Sequence, residues 1–400
     1  MDWTPSTKTQ NIDVLIIGAG PVGLVAALWF LQKGYSVVII EKYANPKGVL
    51  QGSQGRKCFN ERHQQVGLNP ESLDFIQKLN PGIIKEIKRD GCPDPPIASG
   101  RNSPAEAGTW LNIAIYNLQN IIYTELITYK KFLFLCDSQI ESVTTINPAK
   151  PARVIVSRFD DVYSFYPEFV VVCDGRHKDG CANQFFHFGP ASQVTLSSLG
   201  IIGMIRRDSI QTICYKNHSF ENYKTPIGEV HVRLLGSNRE RYIALGAIDD
   251  TSKINMEKLT PQEIKQILLK VFQELKDSEE PQIETFSEIS KTPIQIVLDY
   301  RKETIKIFEG SNTIVTIEGD AARKTTFFSG SGLNSAYKAL GQLFSFCDTY
   351  AELIFRSHDL LHIDEALLEK DQASLQVSME LLRKGIKFVL TPDHKCPTTH

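Results

Sequence analysis

The chain has 400 residues, more than one hydrophobic core serves, so two or three packed units are expected. Apolar residues make up 42% and charged residues 22%, which excludes a disordered or collagen-like chain. With 44 basic against 46 acidic residues the formal charge is −2, so no bulk attraction to nucleic acid or membrane exists, and the eight dispersed cysteines form no zinc or disulfide-framework pattern.

Residues 1–11 read as a polar tail without the basic start, apolar stretch and cleavage site of a signal peptide, so a cytoplasmic protein is expected. Asp13–Ile17 predicts a strand buried on both faces, and Gly18–Gly23 a turn with Pro21 near the first helical position. Leu24–Lys33 predicts a helix stopped by Gly34, and Ser36–Ile40 a second buried strand ending at Glu41. Together they make a parallel βαβ unit. The apolar stretch Val22–Leu31 is too short to span a bilayer.

Pro95–Gly108 is rich in Gly, Pro and Ser and predicts an exposed loop, with a helix over Leu111–Leu126. Ala152–Phe159 and Phe165–Cys173 predict strands, the second running into Asp174-Gly175. Val230–Leu235 and Arg241–Ile248, joined through Gly236-Ser-Asn238, predict antiparallel neighbours. Thr260-Pro-Gln-Glu263 is a capping box, followed by the apolar face Ile264, Ile267, Leu268, Val271 and Leu275; Asp277–Pro281 ends that helix. Thr313–Glu318 predicts another strand, with helix from Asn334 onward. Leu368, Leu375, Met379 and Leu382 stand at helical spacing, so the last fifty residues predict one or two docking helices.

Gly18-x-Gly20-x-x-Gly23 acquires meaning from its context of strand, helix and an acid closing the next strand. The first glycine permits a tight turn, the second lets backbone N–H groups approach a pyrophosphate, and the third lets helix and strand pack closely. The helix N-terminus adds roughly half a positive charge. Glu41, 23 residues after Gly18, suits adenosine ribose hydroxyls and would repel a 2′-phosphate. This fingerprint does not separate FAD from NAD.

Downstream, Thr316–Asp320 ends a strand in Gly319-Asp320, and Ser329-Gly-Ser-Gly-Leu-Asn334 opens a helix. A buried Asp at a strand end can hold ribityl hydroxyls, and glycines at a helix start can bring N–H groups to the flavin edge that turns anionic on reduction. That combination favours FAD. Singly, Asp320 or Asp174 is better read as an Asx-turn or helix cap; the three elements in this order outweigh that reading.

These motifs resemble the single-component flavoprotein monooxygenases, the para-hydroxybenzoate-hydroxylase-like group, over roughly residues 12–345. The resemblance implies an α/β fold: a Rossmann-like FAD-binding domain with an interleaved β-rich substrate domain and C-terminal helices. The FAD-binding domain would take residues 12–190 and 285–345, the substrate domain 191–284, and the C-terminal helices 346–400. It implies that Gly18, Gly20, Gly23 and Glu41, with Lys42 beside them, hold the AMP half of FAD. Asp320 would hold the ribityl chain, and Gly332, Leu333 and Asn334 the flavin edge. Asp174 and Gly175 match a motif that serves both FAD and the nicotinamide. Ile113–Gln119 is similar to the MICAL-type branch, which oxidises a protein side chain; the rest of the family implies a small-molecule substrate.

The implied activity is insertion of one oxygen atom from O₂, with NAD(P)H as reductant, through a flavin C4a-hydroperoxide. Catalysis is then flavin-borne, with Phe327 and Gly330 as the candidates beside the flavin. Departures from the family pattern are Ile115 or Tyr116 for an Arg, Arg323 for His, Phe327 for Pro, and Arg176–Asp179 after Asp174-Gly175. They keep two alternatives open: an FAD-dependent reductase or dehydrogenase without oxygenation, and a non-catalytic FAD-binding module. Lys47, Arg56, Lys57 and Arg62, and likewise Arg301, Arg323 and Lys324, can meet phosphates of NAD(P)H or an acidic substrate, or simply face solvent. His63 and His177 are acid–base candidates; Tyr215, Phe220 and Tyr223 line a pocket or belong to the core.

Overall fold

The computed structural model describes residues 9–42, 65–94, 110–175, 180–206, 218–236, 240–276, 284–324, 331–357 and 363–389. In chain order the first elements are β1 (Thr9–Ile17), α1 (Pro21–Gln32), β2 (Val37–Ile40), β3 (Gln65–Leu68), α2 (Pro70–Leu79), α3 (Pro81–Asp90), β4 (Cys92–Asp94), β5 (Trp110–Ala114) and α4 (Ile115–Leu126). There follow β6 (Phe132–Leu135), β7 (Ser138–Thr144), β8 (Arg153–Arg158), β9 (Asp161–Val172), α5 (Cys181–Gln184), β10 (Ser192–Arg206), β11 (His218–Thr225), β12 (Gly228–Gly236) and β13 (Glu240–Ala247). The chain continues through α6 (Asp250–Lys258), α7 (Pro261–Leu275), β14 (Glu288–Tyr300), β15 (Ile305–Ile307), β16 (Ile314–Ile317), β17 (Arg323–Lys324), α8 (Ser331–Glu352) and α9 (Asp364–Val389).

The predicted βαβ unit forms the centre of the first sheet, whose order β15-β16-β9-β1-β2-β6 carries β7 and β8 beside the first half of β9. β16, β9, β1, β2 and β6 run parallel. Parallel strands covered on both faces need apolar side chains throughout, and β2 and β16 are buried at every residue. α1 is apolar all round and buried from Val22 to Leu31, wedged beneath a core that includes α4 and α8 residues such as Leu118, Ile122, Leu340 and Phe344. Gly34 ends it at φ +87°.

Residues 111–114 are strand rather than the first turn of the expected helix. Leu111 and Ile113 alternate with Asn112 and Ala114, and the strand pairs antiparallel with β3 and β4 in a three-stranded sheet. Leu111 and Ile113 join the core, a two-residue period that the run of apolar residues into α4 conceals.

The second sheet is antiparallel, in the order β11-β12-β13-β10-β14-β17, and includes the predicted β12–β13 pair. β14 carries it past residue 284, to Tyr300. α7 has the expected capping box of Thr260 and Glu263, and it buries Ile264, Ile267, Leu268 and Val271 against Ile201, Val232, Ile243 and Leu245. Tyr223 packs on this core and its hydroxyl donates to Glu274, so it is a core residue; Phe220 is exposed.

α9 docks by a different face from the one its leucines suggest: Leu368 is 57% exposed, while Lys370, Ser374 and Ser378 are buried beside Leu367, Val377 and Leu381. Among the described residues no helix is long and apolar enough to cross a membrane, and no cluster of His, Cys, Asp or Glu could hold a metal ion. The expected loop over 95–108 and the helix end at 277–281 lie outside the described residues.

Candidate functional site

The parallel strands bring the separate motifs to one sheet edge. Ile17 is level with Ile40 and Val172, and Val172 with Ile317, so the residues that follow leave the same carboxyl edge side by side. Gly18 N–H donates to Ile40 at 2.8 Å, Cys173 N–H to Ile17 at 2.7 Å and Glu318 N–H to Val172 at 2.9 Å. Glu41, the glycine turn, Asp174 and Asp320 thus line the crevice where open α/β sheets take their ligands.

Two of the three fingerprint glycines are required by the chain itself. Gly18 has φ +100°, and a Cβ there would stand 2.5 Å from the Cys173 carbonyl oxygen. A Cβ on Gly23 would overlap the Gly18 carbonyl oxygen. Gly20 is different: its φ of −65° and ψ of 169° suit any residue, and an added Cβ meets nothing within 4 Å. The space it leaves open lies at the N-terminus of α1, where no side chain caps the helix. Glu41 Oε2 accepts from Ala19 N–H at 2.7 Å, and Gln119 Nε2 donates to the Ala19 carbonyl at 2.8 Å, so both hold this turn.

Asp174 Oδ2 accepts from Cys181 N–H at 2.8 Å, at the start of α5. Burial first, then the Asp174 charge, pushes the Cys181 thiol up to about 12, with exposed Lys42 opposing. Gly175 has φ +77° and open space beside it.

Asp320 stands in a single 3-10 turn, Gly319–Ala321, entered through Gly319 at φ +65°. Its carboxylate is solvent-exposed and accepts no hydrogen bond from the described residues, so it is not an Asx-turn or cap. Protein nevertheless crowds it within the crevice, and this desolvation raises its pKa above the usual carboxylate range, while Lys324 pulls it back. A carboxylate that faces the crevice with no donor from the described residues is open to the hydroxyls of a polyhydroxyl ligand.

At the start of α8, Gly332 and Leu333 are half-buried. Asn334 is buried; its Oδ1 accepts from Asn69 N–H at 3.0 Å and its Nδ2 donates to the Gly67 carbonyl at 2.8 Å, which pins the helix start to the β3–α2 corner. Arg301 and Arg323 are 5% and 2% exposed, so neither is offered to a phosphate. Arg301 Nε donates to the Ala321 carbonyl at 3.0 Å and its other nitrogens to Gly189 and Asn183. Phe327, Gly330, Lys47, Arg56, Lys57, Arg62, His63, His177 and Tyr215 lie outside the described residues.

Three site residues have no counterpart in the sequence reading. Gln65, Asn112 and Gln119 are each at most 5% exposed, yet both amide atoms of Gln65, Nδ2 of Asn112 and Oε1 of Gln119 find no partner among the described residues. Register puts Gln65 and Asn112 on one face of the three-stranded sheet, opposite the core-facing Leu68, Leu111 and Ile113. Ala114, level with Gln65, leads into α4 and Gln119, while Gly67, level with Asn112, is held by Asn334. The unpartnered amides therefore lie between the glycine turn and the start of α8. Buried amides without partners cost about 1–3 kcal/mol each, so such a row marks a ligand surface. Gln65→Leu is expected to stabilise the apo-protein by about 1 kcal/mol while weakening FAD binding, read from denaturant midpoints with and without FAD. Together, an open glycine cradle, a donor-poor carboxylate and unpartnered amides fit a dinucleotide with a polyhydroxyl chain.

A family model described as FAD binding domain matches residues 11–345. Among solved structures, p-nitrophenol 4-monooxygenase PnpA from Pseudomonas putida DLL-E4 is similar over 96% of this chain and 91% of its own, with TM-score 0.66 and 14% identity. Aklavinone-11 hydroxylase, solved with FAD and aklavinone, matches 94% of this chain and 69% of its own, with TM-score 0.63 and 16% identity. At such identities the likeness is one of fold. FAD-dependent monooxygenase ankC of Aspergillus thermomutatus is 32% identical over 80 residues, 20% of this chain and 11% of that protein. The curated relatives that match are covered over at most 30% of their own length. The MICAL-like stretch is divided between β5 and the first turns of α4. With its fingerprint, strand-edge acids and fold in agreement, the chain belongs to the FAD-binding-domain family.

Proposed function

We propose that the chain is an FAD-dependent monooxygenase that uses NAD(P)H and O₂ to insert one oxygen atom into a small-molecule substrate in the cytoplasm. The observation that carries the reading is Asp320: a crowded, exposed carboxylate at a parallel-sheet edge with no donor from the described residues. FAD, when bound, supplies the electron store and the oxygen activation. The chain's own part is to bind, orient and exclude water. The α1 N-terminus and the space at Gly20 take the pyrophosphate, Glu41 and Lys42 the adenosine side, and Asp320 the ribityl hydroxyls. Gly332, Leu333 and Asn334 meet the flavin edge, and Gln65 and Asn112 complete the polar lining.

In this reading residues 12–190 and 285–345 hold FAD, although β14 itself is a strand of the second sheet, 191–284 receive the substrate and 346–400 brace the whole. The face of the second sheet turned away from α7 is the substrate wall: Met204, Tyr242 and Ala244 are buried there, with Ile202 half-buried. The apolar character of that wall suits an aromatic or polycyclic substrate.

NADH and NADPH oxidation by the FAD-loaded protein, under air and then under nitrogen, tests the proposal. Oxygen-dependent turnover with peroxide release in the absence of substrate is the expected result. Dye-linked turnover without oxygen use would replace the reading with a reductase, and no flavin reduction by either nucleotide with a non-catalytic FAD-binding module.

A further inference from the structure

Beneath the Asp320 turn lies a set of charges that the site itself does not use. Glu318, directly before Gly319, is 0% exposed; Arg323, three residues after Asp320, is 2% exposed, and Lys370 of α9 is 4% exposed. Glu318 Oε1 accepts from Lys370 Nζ at 2.5 Å and from Thr316 Oγ1 at 3.2 Å, and Glu318 Oε2 lies 3.8 Å from Arg323 Nη1. Arg323 Nε donates to Ser378 Oγ at 3.2 Å and its Nη2 to Ser374 Oγ. Beside Lys370, Asp371 accepts from Thr304 N–H at 2.6 Å, its hydroxyl at 2.8 Å, and Ile305 N–H at 3.1 Å.

A docking helix seated only for stability is better served by apolar side chains, because burying ions sets a desolvation cost against their attraction. What such a network adds is register: sliding α9 by one residue would separate Lys370, Ser374 and Ser378 from their partners. The network grips the chain on both sides of one turn, at Glu318 before it and at Arg323 after it. The turn closes on one internal backbone bond, from Ala322 N–H to the Gly319 carbonyl at 3.1 Å, after a left-handed glycine, and Arg301 ties its exit through the Ala321 and Ala322 carbonyls, each at 3.0 Å. No described residue bonds the Asp320 side chain, so where it stands follows from these flanking anchors, Glu318 and Arg323 among them.

We propose that Glu318, Lys370 and Arg323 are positioning residues for Asp320 and that, acting through it, they set the affinity for FAD. This rests on Asp320 as a flavin ligand. The test is a double-mutant cycle on FAD dissociation constants, read by flavin fluorescence in titrations of the apo-protein. The Glu318→Gln/Lys370→Met double variant removes the ion pair while an amide oxygen still faces Arg323, and Arg323→Lys keeps the charge but loses the fork that reaches both serines. In the Asp320 background each is expected to weaken FAD binding about tenfold; combined with Asp320→Ala, each should change it less than about twofold. Leu381→Ala, a cavity in the buried face of the same helix, should lower the melting point and leave FAD affinity within about twofold. Equal losses with and without Asp320, no loss at all, or a comparable loss in Leu381→Ala would overturn the proposal. Wild-type affinity in Asp320→Ala alone would instead remove the flavin role of Asp320 on which it depends. Arg323→Lys carries the same cycle if the double variant does not fold.

Discussion

Gly20→Ala is expected to melt like the wild-type apo-protein and to bind FAD roughly ten- to a hundred-fold more weakly, whereas Gly23→Ala is expected not to accumulate as folded protein. Both add one methyl group to the same turn, so the contrast isolates what each glycine serves. At Gly20 the backbone is extended, the space beside it is open, and the smaller entropy of an unfolded alanine offsets a slightly poorer N-cap. The methyl group obstructs only what sits at the helix N-terminus, and steric overlap of about 1–3 kcal/mol gives that range of affinity loss. At Gly23 the obstruction is the Gly18 carbonyl oxygen, a backbone atom fixed by the sheet edge that cannot rotate away. Melting curves and FAD titrations of both proteins give the result; a Gly20→Ala protein with unchanged FAD affinity would show that no ligand occupies the cradle.

Asp320→Ala is expected to fold and to bind FAD about ten- to a hundred-fold more weakly, the loss of a charged acceptor worth roughly 1.5–3 kcal/mol. Asp320→Asn should lose less, because its amide oxygen still accepts. The pH dependence has a definite sign. An unfolded Asp titrates near 3.9, and desolvation in the crevice raises the folded value above that. The folded apo-protein then holds the proton more tightly than the unfolded chain. Asp320 therefore contributes stability at low pH, and that contribution is lost as pH rises from the ordinary carboxylate range through the raised folded value. In Asp320→Asn this part of the pH–stability curve is expected to flatten. FAD affinity should run the opposite way, rising with pH in the wild type as the carboxylate ionises and staying level in Asp320→Asn. Unchanged affinity together with a lowered melting point in Asp320→Ala would assign the residue to turn stability instead.

The parallel core and its ligand edge were legible because their signals are local. A strand such as Val37–Ile40 is apolar at every residue, and the glycines at 18, 20 and 23 follow β1 at fixed offsets. The strand Trp110–Ala114 was not legible, because Leu111 and Ile113 run into Leu118 and Ile122 and make one apolar stretch of ambiguous period. Lys370 was hidden for another reason. A lysine between Glu369 and Asp371 reads as a solvated helix face, and only Glu318, 52 residues earlier, makes its burial tolerable. The same holds for Arg301, whose partners Asn183 and Gly189 lie more than 110 residues away. Gln65 and Asn112 carried no local signal either. Their significance is a missing partner, which has meaning only once the surrounding chain is in place.

The crossing at Asp320 has a mechanical consequence. The chain leaves the first sheet at Ile317 and by Arg323 is paired with Tyr300 in the second. Arg301 brackets the intervening turn, its backbone N–H on Ala322 and its guanidinium on Ala321. Hinges need a few residues able to absorb a dihedral change, and nearly every residue of this short link is tied. The sheets are thus welded at the Asp320 corner. Any gape that admits a bulky guest must pivot about that corner and open at the opposite rim, so the reach of the opening grows with distance from Asp320.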